Sequence, residues 1–206
     1  MSTRTVPIPP MTCSMDALLQ VGDSDVCKWL GQESRNVECG SLRVYDVATV
    51  SGDNRLSVQE RLYPESTCFG CGLANDAGLH LKSYVTPDGV VATFEPGPMH
   101  TNGMGTLNGG IIATLLDCHS GAAVFWESAD GGEVLANLWV TTEFEIRYRL
   151  PTAMGQPVEL QARVIEKADD TMVVKATLAA EGKVRVQAQS RWASVRTPRS
   201  GGAPHR

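Results

Sequence analysis

Asp117 is the side chain best placed to do chemistry, because it is the only charged residue between Gly109 and Glu127 in an otherwise apolar stretch. A carboxylate in such a stretch costs free energy unless it is paired or hydrogen-bonded. Small residues occupy the positions three, four and seven steps away on the same helical face, which leaves space beside the acid. A catalytic carboxylate and a structural, hydrogen-bonded one both fit this pattern.

Two glycines, Gly109 and Gly110, open the same stretch directly after Asn108. Asn108 is a good N-cap, since its side-chain oxygen can accept an N–H of the first helical turn. Glycines let a ligand approach the backbone N–H groups, where the helix dipole favours developing negative charge. The pattern fits an oxyanion hole, although a tight turn that needs no side chains would also explain it.

The spacing between Gly110 and Asp117 adds a geometric constraint. Seven residues span about 10 Å along a helix, whereas a general base must lie within hydrogen-bond reach of the reacting water. One helix therefore cannot readily supply both groups to a single substrate. We expect Asp117 of one subunit to face the Gly110 end of another, in a homodimer at least.

The elements around these residues follow from hydrophobic periodicity. Alternation predicts strands over 79–85 and 90–94, joined by the turn Pro87-Asp88-Gly89, and a buried helix over about 109–127. Four further strands with period-2 patterning follow it; in the first, even-numbered residues from Leu138 to Tyr148 are apolar, which puts Thr141 off the apolar face. The expected fold is α+β, a curved antiparallel sheet wrapped around one central helix.

The domain organisation is expected to have three parts: an N-terminal extension of uncertain structure (1–61), the main domain (62–197) and a flexible tail (198–206). The net charge of -5 argues against a nucleic-acid surface, which would need clustered Lys and Arg. No stretch is apolar enough for a membrane span and no secretory signal is visible, so a cytoplasmic location with reduced cysteines is expected.

The segment from Asn102 to Asp117 resembles the signature of the PaaI-type hot-dog thioesterases, in which Asn, Gly-Gly, an apolar helix and an acid follow each other at this spacing. Cys68-Phe69-Gly70-Cys71-Gly72, with Asn75 and Gly78-Leu79, resembles the lead-in common in that family. The resemblance covers about 62–195. It implies a hot-dog fold and hydrolysis of an acyl-CoA thioester, by a homodimer or homotetramer with sites between subunits.

The resemblance also implies roles for individual residues. Gly109 and Gly110 would bind the thioester carbonyl, Asp117 would activate water or attack directly, and Asn102 would orient the water or the carbonyl. A Ser or Thr on the strand after the helix usually assists, and Thr141 is the best match, with Thr142 second. The residues expected to contact substrate are Asn108, Thr142 and His100.

One departure from the family pattern concerns Asn108, which stands where the family usually has His. Asn cannot polarise a carbonyl as an imidazole does. A protein that binds acyl thioesters without hydrolysing them is therefore the alternative function. A hot-dog dehydratase or hydratase is a third possibility, but it needs a His-based acid/base pair, and Asn108 argues against it.

The C-x-x-C of Cys68 and Cys71 could contribute two ligands to a metal site. A zinc site needs two more ligands, and the available pair, Cys118 and His119, are adjacent on a helix and point in different directions. His119 falls on the apolar side and is expected to be a hydrogen-bonded core residue. The expectation is no metal and no cofactor.

Overall fold

The computed structural model describes residues 56–129 and 138–195, and all structural statements below concern these residues. Most of the expected N-terminal extension (1–61) and all of the expected tail (198–206) lie outside them. None of the described helices is long and apolar enough to cross a membrane.

Two helices, one short 3₁₀ turn (Pro98–His100) and six strands make up the described chain. Neighbouring strands pair antiparallel in the order β1-β2-β4-β5-β6-β3, so β1 and β3 form the two edges of one sheet. The predicted α+β class is confirmed. The elements are α1 (Val58–Leu62), β1 (Tyr84–Thr86), β2 (Gly89–Phe94), α2 (Gly109–Ser128), β3 (Leu138–Tyr148), β4 (Val158–Lys167), β5 (Thr171–Ala180) and β6 (Lys183–Val195).

The central helix α2 packs against every strand from β2 to β6. Its fully buried leucines, Leu115 and Leu116, lie with Val124 in the main hydrophobic core. Burying one such side chain contributes roughly 1.5–3 kcal/mol. The helix therefore holds its turns in fixed positions over the sheet, and Asp117 sits on one of these turns.

The predicted strand over 79–85 is wrong for most of its length, since β1 begins only at Tyr84. The preceding backbone bonds to other partners: the Leu79 N–H donates to the Phe69 carbonyl at 2.7 Å, and the Leu81 N–H to the Gly70 carbonyl at 3.0 Å. Alternation at Leu81 and Ser83 is real, because both are buried. Both side chains are buried by a folded loop and by α1. Periodicity alone cannot distinguish this kind of burial from burial within a sheet.

A β-bulge in β3 reverses which side chains face the helix. Pairing with β6 shifts by one residue between Thr141 and Glu143, so Thr142 is the extra residue. Before the bulge the odd-numbered positions face inward: Trp139 is 5% exposed, whereas Leu138 and Val140 are 51% and 38% exposed. After the bulge Phe144 packs on the core, as alternation predicts. The prediction for the first half of β3 is therefore wrong, because an inserted residue exchanges the two faces of a strand.

The short helix α1 is joined to α2 through buried polar groups. Ser57 and Glu60 form a capping box at its start. Gln59 is fully buried, and its Oε1 accepts the Ser83 N–H at 2.9 Å. The Ser83 hydroxyl in turn lies 2.8 Å from Nδ1 of His119. This hydrogen-bond chain fixes α1 and the loop before β1 against the central helix.

Candidate active site

Asp117 receives a hydrogen bond from Thr141, whose hydroxyl donates to Oδ1 at 2.8 Å. The two residues come from different elements, α2 and β3, and meet because the bulge turns Thr141 towards the helix. The other carboxylate oxygen, Oδ2, accepts no hydrogen bond from the described residues. The structure thus brings together two of the predicted site residues, with one carboxylate oxygen held and one open.

The carboxylate is half-buried. Burial raises the pKa of Asp117 above its ordinary value, and the hydrogen bond from Thr141 acts in the opposite direction. Desolvation disfavours the charged form of an acid. Asp117 is consequently a stronger base than a solvated aspartate, which suits a group that takes a proton from water.

At the start of α2, Asn108 is the N-cap that the sequence predicts. Its side-chain oxygen accepts the N–H of Gly110 at 2.8 Å and that of Ile111 at 3.3 Å. One of the two expected oxyanion donors is thus occupied by the protein itself. The Gly109 N–H has no acceptor among the described residues.

Tyr148 lies at the same end of α2, although no motif or spacing in the sequence points to it. Its hydroxyl donates to the Gly109 carbonyl at 2.7 Å, and about half of its surface is exposed. Tyr148 is the last residue of β3, so this bond connects the end of the strand to the first residue of the helix. Only the pairing of distant elements places the two residues together, and periodicity carries no signal for it.

Asn102 shapes the loop that leads into α2. Its Nδ2 donates to the Thr106 hydroxyl at 2.7 Å, and its Oδ1 accepts the N–H groups of Met104 and Thr106 at 2.8 and 3.2 Å. Among the described residues, the side-chain hydrogen bonds of Asn102 all stay within this loop. Its side chain is half-buried.

The two remaining predicted contacts, His100 and Thr142, are held by local bonds. Nδ1 of His100 accepts the Gly97 N–H at 2.9 Å, and the ring packs on Phe94 with the centroids 5.2 Å apart. The Thr142 hydroxyl donates to the Arg191 carbonyl at 3.1 Å, and its side chain is exposed at the bulge. Neither side chain hydrogen-bonds to Asp117.

Three cysteines converge on the turn of α2 that carries Asp117. Sγ of Cys68 lies 3.7 Å from Sγ of Cys118, and the Sγ atoms of Cys68, Cys71 and Cys118 all lie within 4.8 Å of one another. A hydrogen bond from Cys118 lowers the pKa of Cys71 to about 7, while burial opposes that shift. The same hydrogen bond, together with burial, raises the pKa of Cys118. The pKa of Cys71 therefore lies below that of Cys118.

His119, by contrast, turns away from the thiols, and the prediction of a hydrogen-bonded core histidine is confirmed. Its Nδ1 bonds to Ser83 and its Nε2 lies 3.1 Å from the Val90 carbonyl. Burial lowers the pKa of His119 to about 4, so it is neutral near pH 7. Both ring nitrogens have partners, so this residue has no nitrogen left for a metal.

One groove of the surface lies apart from these residues. It is lined by the turn Pro87–Gly89, by Glu127 and by 163–167 of β4. None of the predicted site residues lines it. The groove contains the ion pair between Glu127 and Lys167.

Comparison with known proteins identifies the family. Residues 104–186 match the family model of the thioesterase superfamily. A thioesterase superfamily protein from Shewanella loihica is 30% identical, with 59% of this chain and 98% of that chain covered and a TM-score of 0.48. Among curated proteins, none is significantly similar to this chain.

Two other solved structures are similar in fold. Zebra fish thioesterase superfamily member 2 is 24% identical over 59% of this chain and 89% of that chain, with a TM-score of 0.50. A Bacillus halodurans protein, solved with CoA, is 25% identical over 51% of this chain and 66% of that chain, with a TM-score of 0.46. The central helix and six-stranded antiparallel sheet agree with the likeness to the zebra fish protein. This chain belongs to the thioesterase superfamily and has the hot-dog fold.

Proposed function

We propose that this protein is a hydrolase that cleaves an acyl-CoA, or a related acyl thioester, to the free acid and the thiol. Membership of the superfamily supports the thioester chemistry. The observation that supports Asp117 as the central residue is the 2.8 Å hydrogen bond from Thr141, which holds one carboxylate oxygen and leaves the other open. CoA, which the Bacillus halodurans structure contains, is the proposed carrier.

In the proposed reaction, the open oxygen of Asp117 removes a proton from water as the water oxygen attacks the thioester carbonyl. The carbon–sulfur bond then breaks, and the thiolate leaves and takes up a proton. Direct attack by the carboxylate, followed by hydrolysis of the anhydride, gives the same products. In either route Thr141 fixes the carboxylate and supports its charged form.

The developing oxyanion is proposed to bind at the N-terminus of α2. The Gly109 N–H is open to it, whereas the Gly110 N–H is available only when the Asn108 side chain moves away. The amide of Asn102 has two N–H donors and Thr106 takes one. The other would orient the water or the carbonyl, and Asn108, Thr142 and His100 would contact the substrate.

The complete site is proposed to form between subunits of a homodimer or homotetramer. The distance along α2 separates Gly110 from Asp117 by about 10 Å. In addition, β3 is a sheet edge of eleven residues with Leu138 and Val140 exposed. A long strand at the edge of a sheet is a template for pairing with another chain.

The first test is thiol release from short, long and aromatic acyl-CoAs, with wild type and Asp117→Asn compared. We expect the variant to keep its circular dichroism and oligomeric state but to lose hydrolysis by about 10²-fold or more. Glu127→Gln is the matched control, because Glu127 is an exposed acid on the same helix that pairs with Lys167. Near-normal turnover by Asp117→Asn would remove Asp117 from the mechanism.

The bond between Asn108 and the Gly110 N–H favours a second candidate, a protein that binds acyl thioesters without hydrolysing them. An occupied donor would leave the tetrahedral intermediate poorly stabilised. Calorimetry with a thioether analogue of acyl-CoA distinguishes the two candidates. Tight binding without turnover of the corresponding thioester supports the binding protein, and turnover excludes it.

A further inference from the structure

The cluster of Cys68, Cys71 and Cys118 has no part in the proposed hydrolysis. Two of the thiols come from the loop between α1 and β1, and the third comes from the middle of α2, fifty residues away from Cys68. Their Sγ atoms lie within 4.8 Å of one another. Three thiols gathered from separate segments are a typical ligand set for a thiophilic metal ion.

The spacing of the sulfur atoms is compatible with ligation of one metal ion. Two thiolates that bind tetrahedral zinc at about 2.3 Å are separated by about 3.8 Å, and Cys68 and Cys118 are 3.7 Å apart. A disulfide requires about 2.05 Å between the sulfurs. The C-x-x-C spacing of Cys68 and Cys71 is also common at zinc sites.

The loop is built around the cluster by its glycines. A Cβ at Gly70 would lie 2.3 Å from Sγ of Cys118, and one at Gly72 would lie 2.4 Å from the Cys68 nitrogen. The Gly72 N–H donates to the Cys68 carbonyl at 2.9 Å. The three thiols can therefore lie close together only because glycine stands at positions 70 and 72, where a larger residue would force its neighbours to move.

A neighbouring tyrosine provides a second observation. The Tyr63 hydroxyl is buried and has no hydrogen-bond partner among the described residues. Burial raises the pKa of Tyr63, and the charges of Cys71, Cys118 and Cys68 raise it further. A water molecule that fills the fourth position of a metal ion is the kind of group to which such a hydroxyl bonds.

We propose that Cys68, Cys71 and Cys118 bind one zinc ion as thiolates, with water as the fourth ligand. Each thiol releases its proton to solvent when the metal binds. The ion would join the loop at 66–81 to the turn of α2 that carries Asp117. The ion takes no part in the hydrolytic step.

The direct test uses the full-length protein. Elemental analysis of protein purified without chelator should give one zinc per chain. After removal of the zinc, titration with Co²⁺ should produce the charge-transfer absorption of thiolate ligation and the strong visible bands of a tetrahedral site, both saturating at one equivalent. These readouts do not depend on turnover, so failure of the proposed hydrolysis would leave them unchanged.

Cys68→Ser is the main variant, because Cys68 is exposed and its replacement leaves the core intact. We expect its zinc affinity to fall by more than about 100-fold, since loss of an outer-shell partner already costs 10–100-fold. Cys118→Ser should behave in the same way. The matched control is the triple variant Cys13→Ser, Cys27→Ser, Cys39→Ser, which should keep one zinc per chain.

Three results would overturn the proposal. One is wild-type protein that takes up no Co²⁺ although its thiols are free. Another is a Cys68–Cys118 disulfide as the main form under reducing purification. The third is loss of zinc from the triple control variant, which would place ligands elsewhere in the chain.

Discussion

At the scale of single residues, Thr141 and Thr142 are adjacent, chemically identical and differently oriented. The Thr141 hydroxyl donates to Asp117, whereas that of Thr142 donates to the Arg191 carbonyl on the outer side of the strand. The family resemblance predicts a Thr at this point of β3 and ranks Thr141 above Thr142. It does not say where either hydroxyl points. The bulge at Thr142 supplies the geometry, so the two threonines form a natural pair for comparison.

We predict that Thr141→Val lowers kcat/KM by roughly 10- to 100-fold, since a hydrogen bond to a charged group contributes about 1.5–3 kcal/mol. The bond lowers the pKa of Asp117. Its loss raises that pKa, so less carboxylate is present at a given pH and the acid limb of the pH–rate profile moves to higher pH. Thr142→Val should leave kcat and the acid limb of the profile nearly unchanged, because its hydroxyl does not bond to Asp117; loss of its proposed substrate contact should raise KM only. Equal effects of the two substitutions would contradict the assignment of Thr141.

At the scale of elements, the N-terminus of α2 combines two demands on Asn108. The side chain stabilises the helix by accepting the Gly110 N–H, and the same N–H is an expected oxyanion donor. Stability and catalysis therefore compete for one donor. Substitutions that change the cap and the local charge separately can distinguish the two demands.

We predict that Asn108→Ala lowers the free energy of unfolding by about 1 kcal/mol through loss of the cap. The kcat per folded molecule should be kept or increased, because the Gly110 N–H becomes free, while loss of the proposed substrate contact should raise KM. Asn108→Asp should keep the stability, since Asp caps equally well, but should slow hydrolysis about tenfold or more because its charge repels the oxyanion. Urea unfolding and thiol release measure the two effects. Equal turnover of the two variants would argue against an oxyanion site here.

A helix or strand was predictable from the sequence where its apolar residues keep a single spacing along the whole element. The cap at Asn108 and the extent of α2 were predicted correctly because an apolar stretch bounded by a strong N-cap leaves little choice. The sequence did not predict which residues in the first half of β3 face the helix, because the alternation of apolar and polar residues does not reveal a β-bulge. The convergence of Cys118 with Cys68 and Cys71 was also beyond the sequence, because it depends on how a loop lies on a helix.

At the scale of the whole molecule, the proposed site needs two copies of the chain. If Asp117 and the start of α2 act from different subunits, an inactive Asp117→Asn chain and an inactive Asn102→Ala chain should restore activity when refolded together. In a mixed dimer, one site then contains both substitutions and the other contains neither.

We predict that equimolar mixing recovers about a quarter of wild-type activity, because half of the dimers are mixed and each has one intact site. Sedimentation should show a dimer or tetramer for each variant alone. Each variant refolded alone is the control, and both should stay inactive. No recovery from a confirmed mixed dimer would show that each chain carries its own complete site.

The hydrogen-bond chain from Gln59 through Ser83 to His119 and the Val90 carbonyl has a consequence for how this sequence can change over evolutionary time. A buried polar group that loses its partner costs more than a pair that was never present. An apolar residue at position 119 alone would leave Ser83 without its histidine partner. These positions are inherited as a set: descendants can keep all three polar side chains or replace them together, and the intermediate sequences fold less stably than either.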